Sequence, residues 1–284
     1  VERRKLGALI GRYILILIFL LWTLFPIYWM IITSLKSPKD IYSGFYFFPG
    51  IDYHVSYIGW KWIFGPGLRN SLLALRNSFL FAFCSSLFGL VIGSLAAYGL
   101  ARYKYKFLWM KTSEDVLFFV VSQRMMPPIV SILGLYYLFR TIGLLDTAMG
   151  MIILYTWMNV PLIVFLLKDF FVSIPVEIEQ AAAVDGYTRL QQFFKIVLPS
   201  AKSGLAAVFL LSFVFAWNEF LGALFFTMQR TQTLSVLIAG MNTQQEPLWW
   251  TISAIGTIAI IPPVIVTIAL NKYLAGGLFF GGAR

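Results

Sequence analysis

The chain has 284 residues, 60% of them apolar, 18% aromatic and 12% charged, with a formal net charge of +10. A soluble domain carries about 25% charged residues; here there is too little charge to cover a water-facing surface, so the chain reads as an integral membrane protein. One cysteine (Cys84) and one histidine (His54) exclude a disulfide framework, a Cys/His zinc site and an iron–sulfur centre built within the chain.

The basic residues flank apolar segments and never run to five in a row, which points to membrane orientation and not to nucleic acid. Spans lie in the gaps between charges, each needing about 20 apolar residues to cross about 30 Å of hydrocarbon. The first gap, Tyr13–Leu35, is too long for a signal-peptide core and has no small-residue cleavage site, so it is expected to remain as an anchor. Ser34–Arg76 follows, rich in Tyr, Phe, Trp, Gly and Pro, and reads as an interfacial loop with an aromatic belt in contact with lipid. Five more gaps qualify: Asn77–Ala101, Val116–Phe139 interrupted by Arg124, Thr147–Leu167, Ser203–Gln229 interrupted by Glu219, and Pro247–Asn271. Pro26, Pro127, Pro128, Pro161, Pro262 and Pro263 fall inside spans and predict kinks, which a packed bundle tolerates.

With Arg3, Arg4, Lys5 and Arg12 placed inside, the alternating connections put about twice as many Lys and Arg in the cytoplasm as outside. Both termini are therefore expected in the cytoplasm. The inner connection Lys168–Lys202 carries helix punctuation. Pro175 suits a first helical position, Glu177 and Glu179 complement the macrodipole, and Gly186 suits a left-handed stop. Thr188 and Gln191 form a capping-box pattern for a second helix, with Leu190, Phe193, Phe194 and Val197 on one apolar face and Pro199 as its stop. On periodicity alone, this helix pair fits a partner's groove or a headgroup surface equally well.

Gln180-Ala181-Ala182-Ala183-Val184-Asp185-Gly186, nine residues, then Ile196-Val197-Leu198-Pro199 resembles the EAA loop, E-A-A-x3-G-x9-I-x-L-P, of permease subunits in bacterial ATP-binding-cassette (ABC) importers. Gln180 stands where that pattern has Glu. Asn70-Ser71, Asn77-Ser78, Ala96 to Arg102, Gly143-Leu144-Leu145-Asp146-Thr147, Trp217-Asn218-Glu219-Phe220 and the glycine-rich tail ending at Arg284 resemble the sugar and polyol branch, in its second, six-span permease of the maltose type.

The resemblance implies an all-α type I importer permease: residues 1–76 as tail, first span and external loop, 70–271 as the shared transmembrane core, and 272–284 as a cytoplasmic tail that can reach toward the ATPase. It implies a bacterial inner-membrane location and, as partners, a second permease, an ABC ATPase dimer that holds ATP and Mg, and an external substrate-binding protein. Glu179, Gln180, Ala181, Ala182, Asp185, Gly186, Ile196, Leu198 and Pro199 would then couple to the ATPase. Gln180 offers only a neutral hydrogen bond, about half as strong as a carboxylate's, so coupling is expected to rest more on shape than on charge. Glu179 is one residue away and could supply charge, though it points about 100° around the helix.

Arg124 and Glu219 are the charges deep in predicted spans, and a centred charge costs about 2.5–3.5 kcal/mol on insertion scales. At 1.5 Å per residue along straight spans, their depths differ by roughly 12 Å, which argues against direct pairing. Gln123, Arg124, Asn218 and Glu219 are therefore read as facing a passage where they could bond a polyhydroxylated substrate, with snorkelling of Arg124 and inter-helix bonding of Glu219 as the alternatives. The chain contains no G-x4-G-K-[ST], G-x-S-x-G or H-E-x-x-H, so no catalytic residue, metal or cofactor of its own is expected. The competing reading is a self-sufficient secondary transporter or channel protomer, which would leave the coupling pair without a use.

Overall fold

The computed structural model describes residues 2–105, 109–242 and 247–278, and these are helical throughout apart from connections and two isolated bridges. In chain order the helices are α1 (Glu2–Thr33), α2 (Pro38–Ser43), α3 (Ile58–Phe64), α4 (Leu68–Arg102), α5 (Ser113–Ser122), α6 (Pro128–Thr141), α7 (Ala148–Val172), α8 (Val176–Val184), α9 (Arg189–Gln192), α10 (Leu198–Ser200), α11 (Lys202–Trp217), α12 (Leu221–Phe226), α13 (Leu234–Gly240), α14 (Trp249–Ala259) and α15 (Ile261–Leu278). Two compact units emerge, Val1–Leu72 with Leu237–Ile261, and Leu73–Val236 with Pro262–Arg284. The end of the expected tail, from residue 279, lies outside the described residues.

In the first unit, α1 and α3 pack on α14. Gly59 of α3 permits the approach, since a Cβ there would lie 2.5 Å from the Trp250 carbonyl oxygen. Aromatic side chains of the Ser34–Arg76 connection pack into a cluster, with Trp29 of α1 against Phe45 and Phe47, and Tyr46 against Tyr53. Lys36 is buried within it, its ammonium 4.1 Å from the Trp29 ring centroid and 5.4 Å from that of Tyr53. Burial lowers the Lys36 pKa, partly offset by the charges of Asp40 and Asp52, and burial likewise pushes the Tyr53 phenol up to about 12.

Four segments are long and apolar enough to cross a bilayer: Leu9–Thr33, Leu68–Arg102, Ala148–Val172 and Trp249–Leu274. The predicted third and fifth spans are not continuous rods. α5, extended by a 3-10 turn at Gln123–Met125, meets α6 at 88°, because Pro127 and Pro128 withdraw two backbone donors and force an extended residue at Met126. The fifth is α11, a break at Asn218–Phe220, and the short α12. Up to six spans result when each bent helix pair is counted as one, the second such pair being Arg189–Ser200 with Lys202–Trp217, bent by 79°. Pro26 and Pro161, by contrast, sit inside continuous helices.

The second unit is organised around α4 and α7. Gly89 and Gly93 let α4 close on Ile163 of α7, where a Cβ at Gly93 would lie 2.5 Å from the Ile163 side chain; small residues permit such contact where lipid offers no hydrophobic drive. At the carboxyl-terminal ends of both helices lies a core of Ala97, Tyr98, Leu167, Phe171, Phe193 and Val197. That core seats the connection between α7 and α11.

Candidate coupling element and membrane cavity

α8 begins after Pro175, which caps the helix instead of occupying its first turn, and carries Glu177 and Glu179 at its positive end. It stops at Gly186, whose φ of 84° is the left-handed conformation expected there. The Tyr187 N–H donates to the Ala182 carbonyl at 3.0 Å and the Gly186 N–H to that of Ala183 at 3.1 Å, so the end is a Schellman motif. The capping box also forms, with Thr188 and Gln191 each satisfying the other's backbone N–H.

The second helix departs from its expected regularity. After α9 the chain widens into a π turn over Phe193–Val197, then resumes as α10 with Pro199 inside it, so Pro199 is not the stop. A proline ring collides with the carbonyl four residues back, here that of Lys195, and the wider turn relieves the collision. The predicted apolar face is split between the core and the outside. Phe193 and Val197 are 2% and 0% exposed in the core, whereas Leu190 and Phe194 are 67% and 56% exposed.

Glu179 corrects the sequence expectation most clearly. It is 2% exposed and does not offer charge to a partner. Its Oε1 accepts from Arg102 Nε at 2.7 Å and its Oε2 from the Tyr98 hydroxyl at 2.7 Å, while Arg102 Nη2 also donates to the Ile174 carbonyl at 2.9 Å. A buried carboxylate is thereby matched by one cation and one neutral donor, and α8 is fixed to the last turn of α4. The helix face left outward holds Gln180, Ala181, Ala183 and Val184, with Asp185 and Gly186 following; Ala182 is buried. Ile196 and Leu198 are half-buried and Pro199 is exposed. Outward side chains are therefore small on α8 and large at Leu190 and Phe194, a surface shaped for a groove-bearing partner.

The two span breaks meet at one cavity of about 450 Å³, and Gln123, Arg124, Asn218 and Glu219 all line it. The third span bends through 88° after Gln123–Met125 and is not a straight rod, yet the expectation against direct pairing of the two charges stands. Among the described residues Arg124 and Glu219 form no ion pair. The Arg124 guanidinium instead lies 5.2 Å from the Phe215 ring centroid, a cation–π contact, and among the described residues it makes no side-chain hydrogen bond. Glu219 caps α12, accepting from the Gly222 N–H at 2.7 Å and the Ala223 N–H at 3.0 Å. Its charge thus rests on a helix amino terminus. Tyr155, Trp157, Phe215 and Phe220 add aromatic faces to the wall, and Ser131 and Asn159 add polar groups. Cavities of this size, mostly apolar with a few fixed polar groups, suit small ligands. Sequence reasoning missed Tyr155 and Asn159, which look like ordinary apolar-helix residues until α7 is placed against the breaks.

A family model described as "Binding-protein-dependent transport system inner membrane component" matches residues 89–279. The chain is 31% identical over 283 residues to an inner membrane ABC transporter permease protein, YcjP, of Escherichia coli K12, covering 97% of this chain and 96% of that one. It is 34% identical over 262 residues to the melibiose/raffinose/stachyose import permease protein MelC of Bacillus subtilis, covering 91% of each. Among solved structures, a chain of a bacterial ABC transporter involved in the import of the acidic polysaccharide alginate superposes with a TM-score of 0.72 at 22% identity, covering 95% of this chain and 96% of that one.

Proposed function

Because the chain belongs to the family of binding-protein-dependent transport system inner membrane components, and has the type I ABC importer permease fold, we propose that its cargo is a carbohydrate or polyol and that Gln123, Arg124, Asn218 and Glu219 line its route. The similarity to a melibiose/raffinose/stachyose permease supports the cargo class, as do the aromatic and hydrogen-bonding walls of the cavity. The remaining partners are a second permease, an ATPase dimer carrying ATP and Mg, and an external binding protein. Both termini face the cytoplasm of a bacterial inner-membrane assembly, with residues 70–271 as the shared core.

The observation that carries the coupling role is the buried Glu179–Arg102–Tyr98 joint beneath an exposed small-residue helix. A groove on the ATPase grips the outward face of α8 with Leu190 and Phe194. Closure of the ATPase dimer on ATP displaces α8, and the joint passes that displacement to α4 as a rigid connection. The spans then reopen outward, driven by the difference in ATP affinity between the two states. Gln180 sits on the outward face and contributes by fit.

Coexpression with the chromosomally neighbouring proteins, followed by extraction in mild detergent and mass identification of copurifying chains, tests this reading. An ATPase and a second permease are expected. A Cβ at Gly186 meets nothing within 4 Å, so the constraint is its φ and the room a partner needs. Gly186→Asn tolerates the left-handed turn and should keep the ATPase, whereas Gly186→Trp should lose it. Gln180→Glu should keep it as well. Recovery of the chain alone would favour a self-sufficient transporter.

A further inference from the structure

Asp146, in the connection between α6 and α7, adopts a φ of 52°, a conformation costly for a non-glycine residue. Its contacts explain why it is held there. Its backbone N–H donates to the Phe226 carbonyl at 3.0 Å. Its Oδ1 accepts from the Met228 N–H at 2.9 Å, the Thr231 N–H at 3.1 Å and the Thr231 hydroxyl at 2.7 Å, while Oδ2 accepts a 3.4 Å bond from the Arg230 N–H. α4 holds the same stretch from another side. Asn77 Nδ2 donates to the Arg230 and Gln232 carbonyls at 3.0 and 3.1 Å, and Ser78 Oγ accepts from the Leu234 N–H at 2.8 Å.

Residues 227–233 thus form an irregular strap whose backbone groups are satisfied by side chains from two other elements. Asn77, Ser78, Thr231 and Thr233 are all buried. Burial alone would raise the Asp146 carboxyl, but the bonds from Thr231, Met228 and Arg230 outweigh it and hold it below the usual carboxylate range. Just past the strap, the Ser235 hydroxyl donates to the Glu219 carbonyl oxygen at 2.9 Å, at the break in the fifth span. The strap therefore runs from Asp146 to the cavity wall.

We propose that Asp146 is a positioning residue: it latches the 227–233 strap, which through Ser235 fixes the Asn218–Phe220 break in its resting geometry and so restrains ATP hydrolysis when no cargo is present. The inference rests on the reading of the chain as an ATPase-coupled permease. Freeing the break lowers the cost of leaving the resting state, and the hydrolysing state gains population accordingly.

The test is cargo-free ATP hydrolysis by the complete complex in proteoliposomes. Asp146→Gly accepts the backbone conformation and removes every side-chain bond, and should raise cargo-free hydrolysis at least about fivefold, the equivalent of one net hydrogen bond. Asp146→Asn keeps an Oδ1 acceptor for Met228 and Thr231, with bonds about half as strong as a carboxylate's, and sets a donor against the Arg230 N–H, so it should raise hydrolysis by less than Asp146→Gly does. Thr231→Val removes the 2.7 Å bond at constant shape and should fall between them. Parental rates in both Asp146→Gly and Thr231→Val, or a rise in Asp146→Asn equal to that in Asp146→Gly, would overturn the latch. If Asp146→Gly fails to assemble, Thr231→Val decides alone. A parent complex that assembles but never hydrolyses ATP would overturn the permease reading and the latch with it.

Discussion

Glu179→Ala should abolish ATP-driven uptake while leaving the chain in the membrane. The substitution leaves the Arg102 guanidinium buried without its carboxylate and the Tyr98 hydroxyl without its acceptor. Breaking a buried pair from one side costs about 3–5 kcal/mol. At about 1.4 kcal/mol per factor of ten, that lowers the equilibrium constant for seating α8 by more than about a hundredfold. Glu179→Gln should be intermediate, because an amide presents one acceptor and one donor to two groups that both donate. Uptake into proteoliposomes, read beside protease sensitivity of the α8–α9 turn, separates loss of seating from loss of the protein. Uptake by Glu179→Ala within twofold of the parent would remove the joint from the coupling route.

The second large effect is expected at Glu219. Its carboxylate satisfies two backbone N–H groups at the start of α12, next to the cavity. Glu219→Ala orphans both donors where water is scarce, at about 1–3 kcal/mol each. The break at Asn218–Phe220 should then reorganise, so that maximal uptake falls by about tenfold or more with assembly intact. Glu219→Gln retains one acceptor and should lose less. Were Glu219→Gln as damaged as Glu219→Ala, the charge itself would be the requirement, and capping would not account for the residue.

Both positions show how far local pattern reaches. The apolar runs were legible because bilayer thickness imposes one length on any spanning helix. Gly186 and the Thr188–Gln191 box were legible because a helix end is satisfied within a few residues of itself. That Gln123, Arg124, Asn218 and Glu219 would line one cavity was also legible, from the cost of placing charge in hydrocarbon.

Tertiary structure decided the rest. Glu179 looks like any exposed first-turn carboxylate until Arg102, 77 residues earlier in the chain, is placed beside it. Leu190 and Phe193 share an apolar face on the helix, but only Phe193 meets Tyr98 and Phe171 of the core, while Leu190 is left outward. The depth estimate assumed straight spans, but the third span is bent by 88° after Gln123–Met125, and only the packed helices show Arg124 resting on the Phe215 ring while Glu219 caps α12. Sequence alone determined which segments are long and apolar enough to cross a membrane and, at Gly186 and the Thr188–Gln191 box, where helices end and begin, because those depend on length and on neighbours along the chain. Which charge is buried, which is shared and which faces a partner depended on contacts between distant segments, and only the packed bundle defines those.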